Sequence, residues 1–175
     1  VSSAASDVYK RQIEIIARSL RDAVAGDPKG REAMALGQYI AGMGFSNVGL
    51  GIVHSMAHPL SALYDIPHGK ACAMMLTAVL KFNAPATGEK YRDLAKAMGV
   101  QNVDGMSKEE YQKAAIDAIQ KLADDVEIPK SLLEAGVKEE DIPFLAESAK
   151  NDACTPGNPR DVSQADIEEI YRSIL

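Results

Sequence analysis

Residues 49–72, GLGIVHSMAHPLSALYDIPHGKAC, decide how the chain folds, and they hold all three of its histidines. The segment reads as a helix from Ile52 to about Tyr64, carried through Pro59. A break follows at Asp65-Ile66-Pro67, and a second apolar helix starts near His68. His54 and His58 stand four apart, so on a helix their imidazoles leave one face about one turn from each other. Pro67 fixes the backbone where the next helix begins, and a turn between the two helices would swing His68 back beside the first pair.

Outward from this pair the helical pattern repeats. In "IEIIARSLRDAVAG" the residues Ile13, Ile16, Ala17, Leu20 and Val24 share one face, and Gly26-Asp27-Pro28 ends the helix. A second helix is expected over 31–43, before the glycine-spaced "GMGFSNVGLG" of 42–51, where the chain should bend or pack tightly. Further helices are signalled by "TGEKYRDLAKAMGV" and by "SKEEYQKAAIDAIQKLADDV", where Ser107 precedes Glu110 at the capping-box spacing. A short "KSLLEAGV", then "KEEDIPFLAESAKND", then "SQADIEEIYRSIL" with Ser163 as its cap complete the series. No alternating strand pattern is evident, so the expected fold is all-α, a helical bundle. The opening twelve residues, VSSAASDVYKRQ, do not flow into the pattern beginning at Ile13, and are set apart as a non-native or disordered leader, leaving 13–175 as the helical domain.

Bulk properties bound the function. At 175 residues, one sizeable core is the default, and 46% apolar with 25% charged residues describes an ordinary globular chain. A net charge of −6 and a pI near 5.1 argue against nucleic acid or an anionic membrane as partner, since both need basic patches. The longest apolar run, "ACAMMLTAVL", stops at Lys81, well short of the roughly 18 residues a bilayer span requires. Cys72 and Cys154 lack a secretory context, so a reduced, cytoplasmic protein is expected.

Clustered imidazoles point to metal binding, because neutral imidazole is a good ligand for divalent ions. The neighbours Gly51, Val53, Met56, Ala57, Leu60, Ala71 and Cys72 are small or apolar, so the rings should be sheltered and neutral. Independent packing is the ordinary fate of a single helical histidine, and the clustering is what argues otherwise. The segment's one nearby carboxylate, Asp65, sits on the turn, so a three-histidine zinc site and a site completed from elsewhere both stay open. The repeated G-x-G of 42–51 follows no strand, and its glycines are read as permitting close helix packing rather than cradling a nucleotide.

Three quoted stretches carry a family resemblance: "MALGQYIAGMGFSNVGLGIVHSMAHPLSALYDIPHGKACAMML", "FNAPATGEKYRDLAKAMGV" and "EDIPFLAESAKNDACTPGNPRDVSQADIEEIY". Over about 13–175 the chain resembles the iron-containing (group III) alcohol dehydrogenases, especially their lactaldehyde reductase or 1,2-propanediol oxidoreductase branch. The resemblance implies the C-terminal helical, metal-carrying half of a protein whose other half, an α/β domain, binds the nicotinamide nucleotide (NAD). It implies His54 and His68 as two metal ligands, with an Asp and a His from a D-x3-H helix upstream of Val1 as the other two. His58 would be the non-ligand histidine near nicotinamide and substrate, and Phe45 and Cys154 pocket walls. The ion would be Fe(2+), with Zn(2+) also suited to the set, the substrate a small primary alcohol or diol and its aldehyde, and the intact protein a homo-oligomer. The chain by itself is expected to be inactive. Two other readings are a free-standing helical binding module and a zinc hydrolase, the latter lacking a carboxylate beside the histidines.

Overall fold

The structure, a computed structural model, describes residues 3–175; Val1 and Ser2, part of the stretch set apart as a leader, lie outside the described residues. Among the described residues eight α-helices follow one another and no strand occurs: α1 (Ser3–Val24), α2 (Pro28–Val48), α3 (Ile52–Tyr64), α4 (His68–Asn83), α5 (Lys90–Ala97), α6 (Lys108–Asp125), α7 (Ile142–Lys150) and α8 (Gln164–Arg172). The fold is all-α, as the periodicity requires. No described helix is long and apolar enough to cross a membrane.

Two compact units divide the chain, one of residues up to Val48 with Thr87–Val126, the other of Gly49–Ala86 with Glu127–Leu175. In the first unit α1 and α2 form a hairpin. Helix α1 begins at Ser3 rather than at Ile13. Helix α2 runs through the glycine-spaced stretch to Val48 instead of stopping at Met43. Its buried residues are Gly30, Gly37 and Gly44, a repeat of seven that presents bare backbone to α1. At Gly44 a Cβ would stand 2.8 Å from the Tyr9 ring, and the Tyr9 hydroxyl donates to the Gly44 carbonyl at 2.8 Å. Close packing, not a bend, is what these glycines provide. Ser107 and Glu110 make the expected capping box at the start of α6. Tyr91 of α5 and Tyr111 of α6 are buried, with Arg92 over the Tyr111 ring at 5.1 Å.

The second unit carries the histidines. Ile52, Met56 and Leu60, one turn apart on α3, and Ala71, Met75 and Val79 on α4 are essentially inaccessible. Ile142, Leu145, Ala146 and Ala149 of α7 with Ile167 and Tyr171 of α8 complete this core. The buried Tyr171 hydroxyl donates to the Met56 carbonyl at 2.7 Å, tying α8 to the middle of α3. Ser163 caps α8 in a second capping box, with Asp166. The expected short helix in "KSLLEAGV" is only a 3₁₀ turn over Leu133–Ala135, closed by Gly136 at φ +84°.

Candidate metal centre

The turn between α3 and α4 sets the site. Asp65 ends α3 in the left-handed region (φ 52°), Ile66 drops into the core, and Pro67 precedes the first turn of α4. His68 is thereby returned to α3. Its ring centroid lies 5.3 Å from that of His54 and 5.3 Å from that of His58, stacked on the latter, while His54 and His58 are 6.3 Å apart. On α3 the two histidines stand off the Ile52, Met56, Leu60 stripe, so that stripe binds the core while the imidazoles face outward.

Shelter is less complete than the neighbouring residues implied. His54 and His58 are half-buried and His68 is exposed, because His68 sits on the first turn of its helix, ahead of the buried Ala71. Burial, aided by the adjacent His68 and His58 rings, still pushes His54 below the usual imidazole range, leaving it neutral with a free lone pair. Ligand atoms of His54, His68 and Cys72 all lie within 4.8 Å of one another, and Cys72 Sγ is 3.5 Å from His68 Nε2. Burial pushes the Cys72 thiol up to about 11, so the imidazoles are the better donors of this set. Two convergent imidazoles suit a divalent first-row ion, and the residues present therefore fit the metal that the resemblance implies.

A second group adjoins the first. His58 Nδ1 is 2.7 Å from Asp152 Oδ2, and the Cys154 backbone N–H donates to Asp152 Oδ1 at 2.8 Å. Both carboxylate oxygens are thus engaged, and Asp152 Oδ2 lies as close to the ring nitrogen as a hydrogen bond requires. Burial raises the Asp152 carboxyl, but the hydrogen bonds from His58 and from the Cys154 N–H outweigh it and hold the group below the usual carboxylate range. Burial and the Asp152 charge push the Cys154 thiol up. His58 and Asp152 open on a hollow of about 400 Å³ whose other walls include Pro59, Leu63, Phe144 and Ser148. Cys154 joins His58 and Asp152 in one cluster. Phe45 lies on α2 in the first unit, 46% exposed.

Asp152 and Cys72 are the donors that the sequence reading passed over. Cys72 had a local sign, its place four residues after His68. Asp152 is 94 residues from His58, and its sole local mark is a position two before Cys154, where an Asp side chain bonds the N–H two residues on.

The family model described as "Fe-containing alcohol dehydrogenase family, C-terminal" matches residues 4–175. The lactaldehyde reductase of Escherichia coli (strain K12) is 57% identical over 166 residues, which cover 95% of this chain and 43% of that protein. The 1,3-propanediol dehydrogenase of Citrobacter freundii is 46% identical over 162 residues, covering 91% and 42%. Among solved structures, a 1,3-propanediol oxidoreductase superposes with a TM-score of 0.95 at 41% identity over 100% of this chain and 46% of that one. An alcohol dehydrogenase from Oenococcus oeni superposes with a TM-score of 0.92 at 37% identity, over 97% and 45%. The chain spans less than half the length of these relatives. On this match and these likenesses, the chain belongs to the Fe-containing alcohol dehydrogenase family and represents its C-terminal part.

Proposed function

We propose that this chain is the metal-carrying part of a nicotinamide-dependent enzyme that interconverts a small primary alcohol or diol and its aldehyde. The convergence of His54 and His68, with ring centroids 5.3 Å apart, is the observation that carries the reading. The names of its relatives, lactaldehyde reductase and 1,3-propanediol dehydrogenase, supply the substrate class. His54 and His68 hold the ion, Fe(2+) by the family and Zn(2+) by equal chemical fitness. When bound, such an ion supplies Lewis acidity toward a substrate oxygen.

The chain's own groups do the rest. His58 borders the hollow and belongs to the residue type best suited to move a proton near neutral pH, so it takes the part of proton relay between substrate oxygen and solvent. Pro59, Leu63 and Phe144 give the hollow apolar walls that receive a short carbon chain. Cys154, clustered with His58 and Asp152, is proposed to stand beside the substrate at the edge of this hollow. NAD binding, assembly as a homo-oligomer and cytoplasmic residence belong to the same reading of the intact protein, and the chain alone is inactive.

Isothermal titration of the chain with Co(2+), Zn(2+) or Fe(2+) under anaerobic conditions tests the assignment. One ion is expected to bind weakly per chain, and both His54→Ala and His68→Ala should abolish binding. Nicotinamide nucleotide should cause no spectral change. A parent chain that takes up no ion, or a His54→Ala chain that binds like the parent, overturns the reading.

A further inference from the structure

We infer that Asp152 is the positioning residue of His58: its carboxylate accepts a hydrogen bond from Nδ1–H, fixing both the ring plane and the tautomer, and leaves the Nε2 lone pair as the ring's one acceptor. The function of that lone pair rests on the proposed relay role of His58; the pairing itself does not.

Three observations converge. His58 Nδ1 to Asp152 Oδ2 is 2.7 Å, the length of a hydrogen bond with an ionised partner. The carboxylate is itself held, because Oδ1 accepts the Cys154 backbone N–H at 2.8 Å and the side chain is only 19% exposed. It therefore has no free rotation by which to release the ring. The support behind it is equally fixed: Thr155, buried just beyond, donates its hydroxyl to the Ala149 carbonyl of α7 at 2.6 Å and stands 2.8 Å from the Ser55 hydroxyl of α3. Ser55 lies three residues before His58 on the same helix, so the segment bearing Asp152 is registered against the helix bearing the imidazole.

The chemistry follows from the ring's two nitrogens. A neutral imidazole carries its proton on either nitrogen, and in water both tautomers are populated. An ionised carboxylate can only accept, so whatever it bonds must be N–H. With Nδ1 committed to Asp152, Nε2 is left without a proton. A His58 free to adopt the other tautomer would present an N–H there and could not receive a hydroxyl proton at all. Placing a carboxylate on the far nitrogen is thus a way of ensuring that every copy of the ring is ready, and that it stays in one orientation beside the hollow.

Long-range ¹H–¹⁵N correlation of the three histidine rings, on the full chain labelled at histidine and held at a pH above the ordinary imidazole range, reads the tautomer directly. His58 should show a protonated Nδ1 and a bare Nε2 with a preference of roughly tenfold or more, the size a charge-assisted bond imposes. Asp152→Asn offers an amide N–H₂ to Nδ1, and should shift the ring toward the Nε2–H form until the preference is lost or inverted. Asp152→Glu should retain the parent tautomer in part. The His54 and His68 rings and the far-UV circular dichroism should be unchanged in both variants. If Asp152→Asn does not fold, the parent spectrum still decides. A His58 that is Nε2–H or an even mixture in the parent overturns the inference, as does a folded Asp152→Asn chain with the parent's tautomer. Loss of metal binding at His54 and His68 with this tautomer intact would sink the metal reading and leave the pairing standing; metal binding with the wrong tautomer would do the reverse.

Discussion

Replacing Gly157 with alanine tests how tightly the Asp152 segment is seated against α3. Gly157 ends a 3₁₀ turn over Thr155–Gly157, and a Cβ built there would stand 2.0 Å from the Leu50 carbonyl oxygen and 3.2 Å from its carbon. The obstacle is main chain, just ahead of α3, so no side-chain rotation relieves it. Ordinary contact begins near 3.4 Å, and the two segments must therefore separate by roughly 1.4 Å. That displacement exceeds what the next residue tolerates. Asn158 exchanges two amide hydrogen bonds with Asn83 at the end of α4, at 2.8 and 2.9 Å, and neither survives a shift of that size. Overpacking costs about 1–3 kcal/mol, the two amide bonds about 1 kcal/mol each, and the loss of glycine's freedom in the unfolded chain returns up to about 1 kcal/mol. The net loss should be about 2–5 kcal/mol. Urea unfolding of the chain followed by circular dichroism measures it. Gly42→Ala on α2 is the control, since its Cβ would meet nothing within 4 Å and helix propensity predicts a gain of about 0.5–1 kcal/mol. A Gly157→Ala chain within about 1 kcal/mol of the parent, or as stabilised as Gly42→Ala, would refute the close approach.

Removing the cap of α8 by Ser163→Ala should cost about 1 kcal/mol in the same assay, since the Ser163 side chain accepts the Asp166 N–H and Asp166 returns the contact. Tyr171→Phe deletes the hydroxyl that bonds the Met56 carbonyl and should lower stability by about 0.5–1.5 kcal/mol; no loss at all would mean that α8 is not tied to α3 by this contact. Alkaline pH should unfold the chain in a defined window. Burial pushes Tyr91 up to about 12 and raises Tyr171 as well, whereas unfolded tyrosines ionise near pH 10. The folded values lie above the unfolded ones, so their contribution is complete below about pH 10 and is lost as pH rises toward 12. Urea midpoints that stay level through that window would contradict the burial of these phenols.

What the sequence disclosed, and what it hid, divides along the distance over which each determinant acts. Asp65, Ile66 and Pro67 are consecutive, and turn chemistry between two apolar segments is a local property, so the return of His68 toward α3 could be expected before any coordinates. The caps at Ser107 and Ser163 are local in the same sense. The close packing read into the glycines of 42–51 is what α2 shows, but their local meaning, a helix breaker, hid that the helix runs on past Met43 to Val48: at Gly37 and Gly44 a Cβ would press on Ile16 and Tyr9 of α1. A helix propensity cost of about 1 kcal/mol each is accepted where it lets two helices touch. Asp152 is the extreme case. Its bond to His58 depends on α7 packing against α3, which no spacing in the chain announces, and its one local trait, a bond to the N–H two residues on, belongs to any Asp in a turn. Histidines four apart therefore mark where the proposed metal centre begins. The group that decides which nitrogen of His58 is free for chemistry arrives from the opposite end of the unit, and follows only from the core that Met56, Leu145 and Tyr171 build between them.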